Sequence, residues 1–168
     1  GLHAGISAWE RLASDIAGCE RCPRLRAHCT EVARTRRAAF AAETYWGRPI
    51  PNLGEASGHL LIIGLAPAAH GANRTGRMFT GDRSGDFLFE AMHATGFASQ
   101  ATSTHAADGL KLIDCAIRTA AHCAPPENKP TVAEVATCQP FLDRTVETMP
   151  VLARGSGGLL VLGKIAFD

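Results

Sequence analysis

The sequence predicts an α/β layered domain with a mostly parallel sheet. Three observations carry that expectation. Short apolar runs stand at His59–Gly64 (HLLIIG), Leu110–Ile117 and Gly158–Leu162 (GLLVL). Each has the length and composition of a buried strand. Amphipathic segments with helix-start signals alternate with them, which is the pattern of a layered α/β unit.

The elements follow in order. Ser7 and Glu10 have the S-x-x-E spacing of a capping box, and Trp9, Leu12, Ala13 and Ile16 then form a helical apolar stripe that Gly18 ends. Cys19-x-x-Cys22, Pro23 and an arginine-rich stretch come next. Residues 44–58 hold three glycines and two prolines and read as a long loop. After the first strand, residues 65–82 form a turn-rich loop. Ser84–Thr95 reads as a helix with Phe87, Leu88, Ala91 and Met92 on one face and Gly96 as its stop. Thr131 and Glu134 make a second capping box, before a helix bearing Val132, Val135, Ala136 and Leu142 that Pro140 should kink or break. A further helix is expected from Gly163 onward.

The chain has 168 residues, 46% hydrophobic and 20% charged, a globular composition with enough length for one domain and its core. No apolar run approaches the roughly 18 residues that span a membrane, and no secretion signal is read. Six cysteines are then expected in a reducing, cytoplasmic compartment, where they are buried, catalytic or metal-bound more often than bridged. The net charge of +1 is uninformative, but residues 21–37 carry six arginines against the single acid Glu31. That run is either a solvated helix face or a phosphate-facing patch.

Cys19 and Cys22 form C-x2-C, and Cys123 and Cys138 form C-x14-C. A zinc ribbon takes two close pairs, and only the first is close. A four-thiolate iron–sulfur cluster accepts wider spacing, and four buried thiols fit as well. Cys115 lies in an expected strand and reads as core; Cys29 reads as structural or as a spare thiol nearby. The 65–82 loop leaves the carboxyl end of a strand, where open α/β sheets bind ligands. It lacks both the G-x-G-x-x-G and P-loop patterns. On spacing alone it is a binding loop of unknown ligand.

Longer motifs say more. Gly64–Arg77 (GLAPAAHGANRTGR), continued by MFTGDRSGDFL, resembles the first active-site motif of the family 5 uracil-DNA glycosylases. The first cysteine pair, the run CAPPENKP at 123–130 and Cys138 resemble the iron–sulfur frame that family 5 shares with family 4. The resemblance covers nearly the whole chain. It implies a three-layer α/β/α uracil-DNA glycosylase-like domain over residues 1–168, with 1–43 as its cluster-binding segment. The implied activity is hydrolysis of the N-glycosidic bond of uracil, and of other deaminated bases, after the base leaves the stack. A 4Fe–4S cluster would sit on Cys19, Cys22, Cys123 and Cys138. Phe79 would stack on the base, the backbone at Leu65 and Ala66 would hold a carbonyl, and His70, Asn73 and Arg74 would meet DNA. The implied protein is a monomer acting on DNA.

Two departures from family 4 matter. Family 4 has an acid where this chain has Leu65, so the water passes to Asn128, with Asp82 as a second candidate. Family 4 has an asparagine where this chain has Thr119, and a hydroxyl cannot repeat its two-point contact, so base discrimination should relax. The family also carries a histidine loop after its last strand, and no histidine here matches it. The sequence therefore reads as a domain whose last loop falls beyond residue 168. That leaves two alternatives: a damaged- or abasic-DNA binder with little turnover, or a zinc-stabilised structural module.

Overall fold

The computed structural model describes residues 5–163. Ser7 caps helix α1 (Ala8–Ala17): its hydroxyl accepts from the Glu10 amide at 3.1 Å and Glu10 accepts from the Ser7 amide at 3.1 Å. Helix α2 (Pro23–Thr35) starts at Cys22, with Pro23 in the first turn where its missing N–H is harmless. Four strands follow: β1 (Leu53–Gly54), β2 (Leu60–Gly64), β3 (Cys115–Thr119) and β4 (Gly158–Val161). Between β2 and β3 lie the single turn α3 (Ala72–Thr75) and helix α4 (Arg83–Ala94); between β3 and β4 lie α5 (Val132–Thr148) and the short α6 (Pro150–Ala153).

The sheet order is β1-β3-β2-β4, with β2 parallel to both β3 and β4 and β1 antiparallel to β3. The expected α/β class with a mostly parallel sheet is the one observed. Side chains alternate across it. Ile62 and Ile117 join a core with Leu88, Phe89 and Met92 of α4. Leu61 and Ala116 face the opposite way, against Met149, Trp9, Leu142 and Val146. Helices thus cover both faces, giving three layers.

Several expectations shift. The strand read at Leu110–Ile117 is observed at Cys115–Thr119. Asp114 adopts a left-handed φ of 57° that interrupts extended backbone, and Leu110 and Leu112 are buried as loop residues instead. The buried stripe of α4 is Gly85, Leu88, Phe89 and Met92, whereas Phe87 and Ala91 face outward. Helix α5 runs unbroken through Pro140. Pro140 and Ala136, whose carbonyl loses its partner, are both exposed, so water can take the freed oxygen. Val132 on that helix is 88% exposed, and Phe141 and Thr145 form its buried side. Strand β4 holds the edge and is largely exposed among the described residues, not buried. The helix expected from Gly163 lies outside the described residues.

The second capping box does more than start a helix. Glu134 accepts from the Thr131 amide at 2.8 Å and from Arg24 of α2 at 2.6 Å, so it ties α5 to α2. Thr131→Ala removes the reciprocal cap and should lower stability by about 1 kcal/mol in denaturant unfolding, without changing the transition's slope.

Candidate functional site

The parallel pairing of β2 with β3 sets Gly64 beside Thr119, so the loops leaving both strands share one edge. A cavity of about 270 Å³ opens there, lined by Ala66, Pro67, Ala68, Ala72, Met78, Phe79, Asp82, Ser84 and Thr119. Two glycines make it. A Cβ on Gly64 would stand 2.7 Å from Phe79 Cζ, so only glycine lets the ring lie on the strand end. A Cβ on Gly85 would stand 2.0 Å from the Phe79 carbonyl oxygen, so glycine lets α4 begin against that turn.

Phe79 has φ of 50°, an uncommon conformation for a bulky residue that its surroundings must enforce. Arg77 does so. Its guanidinium donates to Thr80 Oγ1 at 2.9 Å, Ser103 Oγ at 3.0 Å and Asp108 Oδ2 at 2.9 Å, and Gly81 N donates to the Ser103 carbonyl at 2.8 Å. The Arg77 and Asp108 side chains are only 10% and 6% exposed. Burial alone would raise the Asp108 pKa, but the hydrogen bonds from Arg77 and from the Leu110 and Thr104 amides outweigh it and hold the carboxyl well below its usual range. Sequence reasoning missed this clamp, because its members lie up to 31 residues apart.

Asp82 lines the cavity and caps α4, its Oδ1 accepting from Gly85 N at 2.9 Å. Burial pushes its pKa up, against the helix amide that lowers it. A carboxylate poised in this way at a cavity wall is a candidate base. Thr119 is fully buried, and its hydroxyl already donates to the Ala121 carbonyl. Ala66 lies on the wall; Leu65 is exposed outside it. Asn128 is exposed at the end of the 126–128 turn, with φ of 58°, and does not line the cavity.

The three residues expected to meet DNA separate. His70 is half-buried, with Nδ1 2.8 Å from Tyr45 Oη, and burial followed by Arg37 and Arg74 lowers its pKa. Arg74 is spent inside the loop, donating to the His70 and Gly81 carbonyls and pairing with Glu43 at 2.7 Å, over the Phe40 ring. Asn73 is fully buried, its amide 3.5 Å from the Cys29 carbonyl. Both stiffen the loop from within and are not surface groups. The arginine-rich run also divides. Arg24 and Arg34 are in ion pairs, Arg26 is part-buried, Arg36 is exposed and donates to the Glu43 carbonyl, and Arg37 is exposed and close enough to His70 to act on its charge.

A second cavity, of about 330 Å³, brings together Cys19, Cys22, Cys123 and Cys138, with Leu25, Arg26, His122 and Phe141 among its walls. These are the four cysteines that the sequence groups as C-x2-C and C-x14-C. Among the described residues no three His, Cys, Asp or Glu side chains stand close enough to hold one metal ion. The four thiols share a wider, largely apolar chamber. Burial first, and the neighbouring cysteines next, raise the Cys22 pKa; burial likewise raises Cys138. Cys138 also takes a hydrogen bond from the His122 backbone. His122 donates through Nδ1 to the Ile50 carbonyl at 2.6 Å, and burial pushes its pKa down to about 3. Cys29 is buried and donates to the Ala124 carbonyl at 3.3 Å, beside Cys123; Cys115 is core, as expected.

The parallel sheet thus carries one cavity at its carboxyl edge, and the chain has a separate chamber lined by four thiols. Residues 51–168 match the family described as Uracil DNA glycosylase superfamily, and the chain belongs to that superfamily. It is similar to proteins named Type-5 uracil-DNA glycosylase. The Mycobacterium leprae protein is 51% identical over 142 residues, covering 84% of this chain and 62% of that protein. The Mycobacterium bovis protein is 55% identical, covering 84% and 53%. The Pyrobaculum aerophilum protein is 37% identical over 166 residues, covering 99% and 70%. The chain thus spans little more than half the length of the mycobacterial relatives. The family resemblance read from the 64–88 and 123–138 motifs is borne out.

Gly64→Ala should displace the Phe79 ring and destabilise the fold by about 1–3 kcal/mol, readable by unfolding and in a crystal structure of the variant. Asp108→Asn should lower stability at pH 7 by roughly 2–4 kcal/mol. Because the folded pKa is depressed, the wild-type pair contributes fully above the unfolded value of about 3.8 and fades as pH falls toward the lower folded value. The gap between variant and wild type should therefore close on acidification.

Proposed function

We propose that this chain hydrolyses the N-glycosidic bond of uracil in DNA, and of other deaminated bases. The observation that carries the reading is the cavity beside Phe79, lined by residues within the 51–168 stretch that matches the superfamily. The flipped base lies against the Phe79 ring, and the backbone at Leu65 and Ala66 holds a base carbonyl. As the bond to the sugar breaks, the base leaves with the electron pair and C1′ becomes oxocarbenium-like. Donors placed at the developing base anion then stabilise the transition state more than the ground state. Asp82 from the wall, and Asn128 from the 126–128 turn, orient the water that adds to C1′. An amide orients water without deprotonating it, so most of the rate comes from leaving-group stabilisation.

Thr119 supports relaxed base choice. Its hydroxyl hydrogen is taken by the Ala121 carbonyl, so it presents no two-point contact to the base edge. His70, with the exposed Arg36 and Arg37, is the DNA-facing set; the protein acts as a monomer in the cytoplasm, where DNA and reduced thiols coexist. Among the described residues no helix is long and apolar enough to cross a membrane.

We also assign a 4Fe–4S cluster to Cys19, Cys22, Cys123 and Cys138. The donor set fits: four thiols around one chamber with largely apolar walls, beside a buried unpaired Nη1 of Arg26. When bound, the cluster cross-links α1, α2, residue 123 and α5, and supplies no redox step to the hydrolysis.

Single-turnover excision from uracil-containing duplex tests the reading. Asp82→Asn and Asn128→Ala should each slow excision about 10²-fold. The wild-type rate should rise with pH as Asp82 ionises, above the ordinary carboxylate value because burial raises it, and Asp82→Asn should lose that limb. Hypoxanthine- and xanthine-containing duplexes should also be cut. Binding without excision of any base would overturn the assignment.

A further inference from the structure

Two arginines, Arg118 and the part-buried Arg26, each hold a buried Nη1 without the partner that burial normally demands. Arg118 is 1% exposed on β3. It donates through Nε and Nη2 to its neighbour's carbonyl, Thr119 O, at 3.1 and 2.7 Å, while Nη1 is buried with no partner. Arg26 on α2 lines the four-cysteine chamber, spends Nη2 on the Gly47 carbonyl at 3.0 Å, and also has a buried Nη1 with no partner. Neither is in an ion pair among the described residues, although Arg24, Arg34, Arg74, Arg77 and Arg144 all are. A guanidinium taken out of water without a counter-charge costs several kcal/mol, so such groups are paired in stable folds.

Arg26 lines the chamber with all four cysteines, and Arg118 is close enough to Cys138 to feel its charge. Arg26 acts on Cys123 by charge. Arg118 acts on Cys138; Asp143 is near enough to influence it but not to pair. Four thiolates around an oxidised four-iron cluster make a dianion, and two guanidinium groups match that charge.

We propose that Arg26 and Arg118 are the counter-charges of the cluster, each positioned to aim its unpaired Nη1 at the thiolate–cluster dianion. This rests on the cluster assigned above. The two arginines sit on different elements, α2 and β3, so together they fix the dianion between the N-terminal helices and the sheet. Their role is electrostatic positioning: they hold the cluster in its site and set its potential, since nearby positive charge and hydrogen bonds to sulfur favour the reduced, more negative state.

The test uses the whole chain purified anaerobically, with iron and sulfide content, the midpoint potential by dye-equilibrated titration, and the rate of bleaching near ~400 nm by a chelator. Arg26→Gln and Arg118→Met, loaded with iron to the wild-type level, should show a lower midpoint potential and several-fold faster bleaching. The double variant should show the approximate sum, and Arg26→Lys should lie near wild type. Arg118→Met also removes two carbonyl contacts, so if it fails to fold the Gln and Lys variants at Arg26 decide the matter. Iron-loaded Arg26→Gln with wild-type potential and bleaching rate would overturn the proposal while leaving the cluster in place. Wild-type protein without iron and sulfide would overturn the cluster itself, and this proposal with it.

Discussion

The site depends on one pairing, Gly64 of β2 beside Thr119 of β3. Parallel strands in register release their following loops on the same edge, and here Ala121 N donates to the Leu65 carbonyl at 3.1 Å where the two loops begin. Gly64 then matters twice. It ends a buried strand, and its missing side chain leaves the space that the Phe79 ring fills. The cavity is therefore a consequence of sheet register and of one absent carbon, before any polar group is considered.

Polar groups hold this arrangement under strain. The left-handed φ of Phe79 has no local benefit, so its persistence falls to the Arg77–Asp108–Ser103–Thr80 network behind it. Arg74 performs a similar service for the preceding turn through the His70 and Gly81 carbonyls of the loop and Glu43 outside it. Charged residues that look from their sequence like groups for binding DNA are here the internal struts of the loop.

The thiol chamber stands in the same relation to the N-terminal helices. Cys19 and Cys138 pack with Leu12, Ile16 and Phe141, and Cys22 and Cys123 with Leu25, Cys29 and Ala124. Thiols in such surroundings resist ionisation until a cation offsets their repulsion, which is why the unpaired guanidinium groups of Arg26 and Arg118 bear on the chamber. Glu134 adds a separate tie between α2 and α5 that needs no cofactor.

The sequence by itself determined the local signals: both capping boxes, the strand at Leu60–Gly64, the core position of Cys115 and the two long motifs of the family. These depend on neighbours three or four residues away, or on runs of mixed chemistry that chance does not produce. It placed Leu110–Ile117 too early as a strand because buried loop leucines alternate as strand residues do. It turned the stripe of α4 by one position because Phe87 is apolar yet outward. It took β4 as buried because hydrophobicity does not reveal an edge. Only the tertiary structure decided that Asn73 and Arg74 face inward, that Asp108 holds the turn of Phe79, and that four cysteines spread over 120 residues line one chamber with two unpaired arginines at its side. Those facts are set by strand register and helix packing, which join positions that no local pattern relates.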